Sequence, residues 1–295
     1  MATNQKAPEN IKWNTRQRLQ YIELMAFYTG LVTRSDVARS FGISDAAATK
    51  DLKQYGLLAP DNLMYRHSVF GFVPSKYFKA QFADLSPQTA LPLIAANLSH
   101  SGSPTQGESL YGIPVDTLPL PLRLPEKEVL SQITRATRQR RKLSIEYRSL
   151  SDRNSPQQRT IEPHTLIDTG LRWHVRAYSD DTFDFRDFVL SRIVSATMLD
   201  EAAESSPQYD DDWVEWTSLE LAPHPALSEN KQKSLLIDYG AETSIQLNIR
   251  RALIGYILQK LSVDTTIDHS LNPNAYQLIL VNRDEIEPFA GWAFL

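Results

Sequence analysis

Apolar residues recur at helical spacing over residues 16–28, where Leu19, Ile22, Leu24, Met25 and Ala26 fill one face and Gly30 supplies a stop. Thr33-Arg34-Ser35-Asp36 has the form of a capping box and predicts a second helix to about Phe41, ended by Gly42. Ser44 caps a third helix from Asp45 to about Gln54. Ala38 is small enough to let two helices approach, Gly42 permits a left-handed turn between them, and Ile43 fills it. This spacing resembles that of a helix-turn-helix. In the third helix Ala48 and Leu52 point inward, and Ala46, Thr49, Lys50 and Lys53 form the opposite stripe. Residues 62–74 read as a short hairpin, a wing, with Tyr65, Arg66 and His67 near its tip.

A second pattern, with a two-residue period, occupies residues 143–193. In Arg172-Trp173-His174-Val175-Arg176-Ala177-Tyr178, the residues Trp173, Val175 and Ala177 make a core face. Arg172, His174, Arg176 and Tyr178 make the other. Residues 143–148 read as a strand with Leu143, Ile145 and Tyr147 on one side. Residues 159–163 read as another, ended by Pro163, which cannot donate to a ladder. Asp168-Thr169-Gly170 is a hairpin turn before the key strand. Asp180-Asp181 is the turn after it, and residues 185–194 return with Arg186 and Arg192. A strongly curved antiparallel unit follows, gathering Tyr147, Arg159, His174, Arg176, Arg186 and Arg192. Guanidinium forks of this kind match the oxygens of phosphate.

Between these patterns, residues 81–125 hold a short helix within residues 85–98 and a loop-like run at 99–107. Pro119, Pro121 and Pro125 then favour a stiff, extended connection. A helix follows through Val129, Ile133 and Ala136, its end marked by Arg135, Arg138, Arg140, Arg141 and Lys142, ordinary partners of a helix dipole. Beyond the sheet, residues 210–216 read as an acidic, aromatic linker that packs onto the body. Residues 235–239, 243–249 and 276–281 read as strands and 251–261 as an amphipathic helix.

Charge sharpens the division. The net charge of −4 conceals 11 Lys+Arg against 6 Asp+Glu in residues 1–80, and 13 against 10 in residues 126–198. In residues 199–295 the balance is 6 against 16. A basic first domain and an acidic last one suit a protein that meets polyanion at one end. With no cysteine, disulfides, thiolate metal sites and a Cys nucleophile are excluded. No signal-peptide pattern opens the chain and no apolar run approaches the ~20 residues that cross a bilayer, so the expectation is a soluble, cytoplasmic protein without membrane association. No cofactor and no metal are expected.

The run Ile145-x-Tyr147, Arg159-x3-Pro163, Trp173-His174-Val175-Arg176-Ala177-Tyr178, Arg186-x5-Arg192-Ile193 resembles a WYL domain, with Trp-His-Val standing where the family has Trp-Tyr-Leu. Together with the winged helix before it and the extension after it, the chain resembles the BrxR/CapW type of WYL repressor over essentially its whole length. The resemblance implies an α+β multidomain protein: a winged helix-turn-helix (1–80), a helical, Pro-rich linker (81–125), a central SH3/Sm-like β-barrel (126–200) and a small α+β C-terminal domain (201–295). It implies a repressor associated with phage-defence loci such as BREX.

Three functions stand open on the sequence. The first is a homodimeric, ligand-responsive regulator of an inverted-repeat operator in double-stranded DNA, touching it through Ser44, Ala46, Thr49, Lys50, Lys53, Tyr65, Arg66 and His67. Its nucleotide or nucleic-acid effector would sit among Tyr147, Arg159, His174, Arg176, Tyr178, Arg186 and Arg192. The second is an architectural nucleic-acid binder without sensing. The third is a phosphodiesterase with His164 and His174 as acid and base, against which stand the missing cysteines, the absence of a tight Asp/Glu/His metal cluster in the sequence and the lack of a nucleophile motif.

Overall fold

The computed structural model describes residues 11–96, 111–116, 118–150 and 157–294; residues 99–107, read as a loop, lie outside them. Two units separate, residues 1–119 and 120–295.

In the first unit, α1 (Trp13–Thr29) ends on Gly30 at φ 75°, as the stop signal requires. Helix α2 (Arg34–Phe41) begins with a complete capping box, Thr33 accepting from the Asp36 amide and Asp36 accepting from the Thr33 amide. Gly42 takes the left-handed conformation at φ 60°, and the Ile43 amide donates to the Ala38 carbonyl. Helix α3 (Asp45–Leu58) is capped by Ser44, whose hydroxyl accepts from the Ala47 amide. The wing is β1 (Leu63–Arg66) paired antiparallel with β2 (Gly71–Pro74), and Val32 bridges to Phe72. Gly71 is the residue that lets this third strand approach, since a Cβ there would lie 2.6 Å from the Leu31 side chain.

Helix α4 (Pro87–Ala96) bears out the short helix expected there. The stretch read as a linker also feeds the first core: Phe82, Ala90, Ile94 and Tyr111 pack with Leu19, Ile22, Val37, Ala48, Leu52 and Tyr55. The buried Glu23 carboxylate holds residues 81–83, accepting from the amides of Gln81, Phe82 and Ala83 at 2.7–2.8 Å and from the Tyr55 hydroxyl at 3.0 Å.

In the second unit, α5 (Lys127–Gln139) lays Val129, Ile133 and Ala136 against a five-stranded sheet. Its strands are β3 (Arg141–Tyr147), β4 (Gln157–Asp168), β5 (Trp173–Ser179), β6 (Asp184–Val189) and β7 (Ile193–Ala202), in the order β6-β5-β4-β3-β7. Three expectations are corrected here. Pro163 does not end its strand: it lies past the last β3 partner, Ile161, and beside an irregularity in the β5 pairing, where a missing N–H costs no ladder bond. The return over residues 185–194 breaks at a 3-10 turn, Leu190–Arg192, so that β6 and β7 become the two edges. No ladder joins those edges among the described residues, so the sheet is curled but not a closed barrel. Curling is forced, because five strands about 4.8 Å apart must have their edges joined by three residues, Leu190–Arg192.

The acidic linker forms a short helix, α6 (Asp211–Val214), after a 3-10 turn. A four-stranded sheet follows, in the order β10-β11-β8-β9, built from β8 (Trp216–Pro223), β9 (Ile245–Arg250), β10 (Val263–Asp264) and β11 (Leu278–Leu280). Helices α7 (Glu229–Asp238), α8 (Ile254–Lys260) and α9 (Arg283–Ile286) complete it. Residues 235–239, expected as a strand, are the end of α7 and the turn after it. Only Leu235 of that apolar run is buried, and a run so short is ambiguous between strand and helix.

Candidate nucleic-acid interface and sensor cleft

Helix α3 presents what its spacing predicts. Ala48 and Leu52 are buried, while Ser44, Ala46, Lys50 and Lys53 are exposed and Thr49 is half-buried. The Thr49 hydroxyl donates to the Asp45 carbonyl one turn back at 2.8 Å, so its oxygen keeps the capacity to accept. The helix is held from behind by Arg18, whose guanidinium meets both carboxylate oxygens of Asp51, Nε to Oδ2 at 2.6 Å and Nη2 to Oδ1 at 3.2 Å. Beside it the wing exposes Tyr65, Arg66 and His67, with the Tyr65 ring edge-on to both His67 and Phe72.

The curved sheet divides the residues expected to gather for a ligand. Tyr147, Arg159 and Arg186 line one cleft of about 350 Å³, with Ser149, Thr182, Asp187 and Phe188. The Arg159 guanidinium lies 5.6 Å and 5.9 Å from the centroids of Tyr147 and Phe188 and donates to Gln157 at 3.0 Å. Among the described residues no carboxylate lies within ion-pair distance of Arg159. Arg186 is exposed and meets Asp184 at 3.4 Å, a contact worth little in water.

His174 and Arg176 are elsewhere, buried on the face of β5 read as polar and outside the cleft that holds Arg159 and Arg186. His174 is 1% and Arg176 5% exposed, whereas Trp173, expected on the core face, is 38% exposed. The polar face is covered by the linker and the C-terminal domain. Arg176 donates to both oxygens of Asp210, at 2.5 Å and 2.7 Å, and to Asp187 at 3.3 Å. Asp187 in turn accepts from the Tyr256 hydroxyl on α8 at 2.9 Å. Burial pushes the Asp187 carboxyl up against the pull of Arg176. For Asp210 burial also pushes upward, but hydrogen bonds from His164 and Arg176 outweigh it and hold the group below its usual range. The His174 ring lies 4.8 Å from that of Tyr256. Burial, then the charges of Arg172 and Arg192, bring its pKa down to about 4, so it is neutral at pH 7. Tyr178 is half-buried, edge-on to Phe185. His164, weighed as a catalytic partner of His174, bonds Thr165 at 2.9 Å and Asp210 at 3.1 Å through its two nitrogens. The two imidazoles are engaged separately. Among the described residues no group of three His, Asp or Glu could hold a metal.

Family models match along the chain: the BrxR transcriptional regulator winged helix-turn-helix domain over residues 14–96, the WYL domain over 128–198, and the BrxR transcriptional regulator C-terminal dimerization domain over 216–286. A DNA-binding transcriptional repressor CapW of Escherichia coli (strain KTE188) is 34% identical over 288 residues, 96% of this chain and 94% of that one. One of Pseudomonas aeruginosa is 30% identical over 289 residues, with 96% and 94% covered. One of Stenotrophomonas maltophilia is 28% identical over 284 residues, with 94% and 92% covered. The chain belongs to the BrxR/CapW family of WYL-domain transcriptional regulators.

For this family member, sequence reasoning missed the carboxylates that organise both sites. Asp51 and Glu23 fix α3 from behind, and Asp187, Asp210 and Tyr256 close the polar face of β5. Only one signal pointed to the latter: an Asp210-Asp211-Asp212 run following a segment with an excess of cations.

Proposed function

We propose that this chain is a homodimeric, sequence-specific DNA-binding transcriptional repressor, working in the cytoplasm on an inverted-repeat operator of a phage-defence operon. It is a regulator and not an enzyme. Its relatives' names support the repressor reading, and the matched C-terminal dimerization domain supports the dimer. The observation that carries the reading is the capped helix α3, with Ala46, Thr49, Lys50 and Lys53 outward and a cationic wing beside it. Thr49 and Ala46 are sized for base edges and a thymine methyl; Lys50, Lys53 and Arg66 are placed for phosphate. A two-fold dimer would set two such helices into major grooves about one helical turn, or a multiple, apart.

The effector is an anion, a nucleotide or a nucleic-acid fragment, taken between Arg159 and Arg186. An anion there adds negative charge beside the buried Asp187, the carboxylate shared by Arg176 and Tyr256. Arrangements of the dimer that differ in this contact are then bound unequally, which is all that a population shift needs. Arg172 and Arg192 add to the burial that keeps His174 neutral, and in this reading Arg192 does not itself grip the ligand.

DNA binding is tested by fluorescence anisotropy across a salt series. Lys50→Ala and Lys53→Ala are each expected to weaken binding and to lower the log–log salt slope by about one unit. Unchanged slopes in both would remove α3 from the interface. A second reading, an architectural binder without sensing, is favoured by the neutralisation of Arg176 by Asp210. It predicts that Arg159→Ala,Arg186→Ala represses normally under every condition, whereas the sensor reading predicts loss of induction.

A further inference from the structure

The tip of the wing carries a residue that neither helix capping nor packing explains. Phe70 is 80% exposed, and its backbone sits in the left-handed region at φ 48°. A bulky side chain is rare there, and glycine or asparagine would cost the fold less. Nor does the turn need the ring: the Phe70 amide closes the 3-10 turn onto the His67 carbonyl, a bond any residue but proline would make. Both the backbone and the solvent exposure therefore work against phenylalanine at this position. Its neighbours are Arg66 and His67, both exposed, and Val69, 41% exposed. An apolar blade thus stands at the end of a cationic arm, within the segment where cations outnumber anions by 11 to 6.

The geometry points to Phe70 as a minor-groove wedge, inserted at a base step or against the deoxyribose walls while Arg66 and His67 hold the flanking phosphates. The partner is a B-form duplex that yields at that step, which makes Phe70 a reader of deformability in place of base edges. Flexible pyrimidine–purine steps are the sequences at which this contact forms most readily. Wing-to-wing pairing with a second copy fits the patch less well, because two cationic rims repel. Docking of the wing on the acidic C-terminal domain of a copy is the outcome that the sedimentation measurement below detects. The inference rests on the DNA-binding reading above and deepens it.

The test uses the full-length protein and the duplex that the wild type selects from a randomised pool, with 2-aminopurine placed at successive steps beneath the wing. Wild type is expected to raise the 2-aminopurine fluorescence at one step. Phe70→Gly is expected to melt no lower than wild type, because glycine takes positive φ without strain. It is nevertheless expected to bind roughly tenfold more weakly and to abolish the fluorescence rise. Its salt slope should match the wild type, since an apolar contact releases no counterions. Phe70→Leu should recover part of the affinity.

Equal affinity of Phe70→Gly and wild type would overturn the wedge and leave the DNA-binding reading standing. So would a loss of affinity that follows a shift in the monomer–dimer equilibrium by sedimentation, which would place Phe70 between copies. A pool from which no duplex is selected would sink the DNA-binding reading itself, and the wedge with it.

Discussion

At the scale of the residue, Arg176 shows how misleading a single cation can be. On a strand whose alternate positions are Arg172, His174 and Arg176, the guanidinium reads as a ligand donor. In the structure it meets two carboxylates, Asp210 and Asp187, in a buried site. Arg176→Ala would leave those carboxylates inside without their partner, so chemical denaturation is expected to show a loss of about 3–5 kcal/mol. Arg159→Ala, beside the open cleft, should cost far less and should act on ligand response instead. Equal stabilities of the two variants would contradict this division. His174 gives a pH test. Its pKa falls from 6.5 in the unfolded chain to about 4 in the fold, so below pH 6.5 the unfolded state takes up a proton that the native state refuses. Stability contributed by the neutral ring is whole above pH 6.5 and is lost as pH falls toward 4, by at most about 3 kcal/mol. In His174→Gln that part of the pH dependence should disappear from thermal melts run between pH 7 and 4.

At the scale of the element, local chemistry carried the first unit well. Capping box, glycine stops and the Ser44 cap act within four residues, so α1, α2, α3 and the wing stand where periodicity and turn residues put them. The same rules failed for α7, where Asn230-Lys-Gln-Lys gives no apolar stripe and only Leu235 reaches the core. They gave no reading for most of β8, of which only Trp216 fell in the stretch read as linker. The acidic, aromatic stretch before it reads as packing onto the body, and there Trp213 and Trp216 both lie against the Arg250 guanidinium, at 4.8 Å and 4.6 Å. Pairing with β9 and β11, distant in sequence, decides that strand.

At the scale of the molecule, the second unit joins its five-stranded sheet to α8 through a chain of polar contacts: His164–Asp210–Arg176–Asp187–Tyr256. The link runs from the WYL sheet into the segment matched to a dimerization domain, and opening of the two together is the expected consequence. Native-state hydrogen exchange should therefore report the same opening free energy for β5 and α8, and Tyr256→Phe should lower both together by about 1–2 kcal/mol. If α8 alone loses protection, the polar chain does not couple the helix to the five-stranded sheet.

The sequence by itself determined the winged helix-turn-helix, the antiparallel strands, the order of the domains and the family. Each of these is written in local periodicity, in caps and turns, or in a motif that spans contiguous strands. Legible too was the gathering of Tyr147, Arg159 and Arg186 at one cleft. Tertiary structure alone decided which cations are available. A guanidinium on a strand looks the same whether it faces water or a carboxylate 34 residues away, and only the approach of the linker and α8 turned the polar face of β5 inward. Electrostatic partners separated in sequence leave no periodic signal; burial, which makes their pairing obligatory, is a property of the assembled chain.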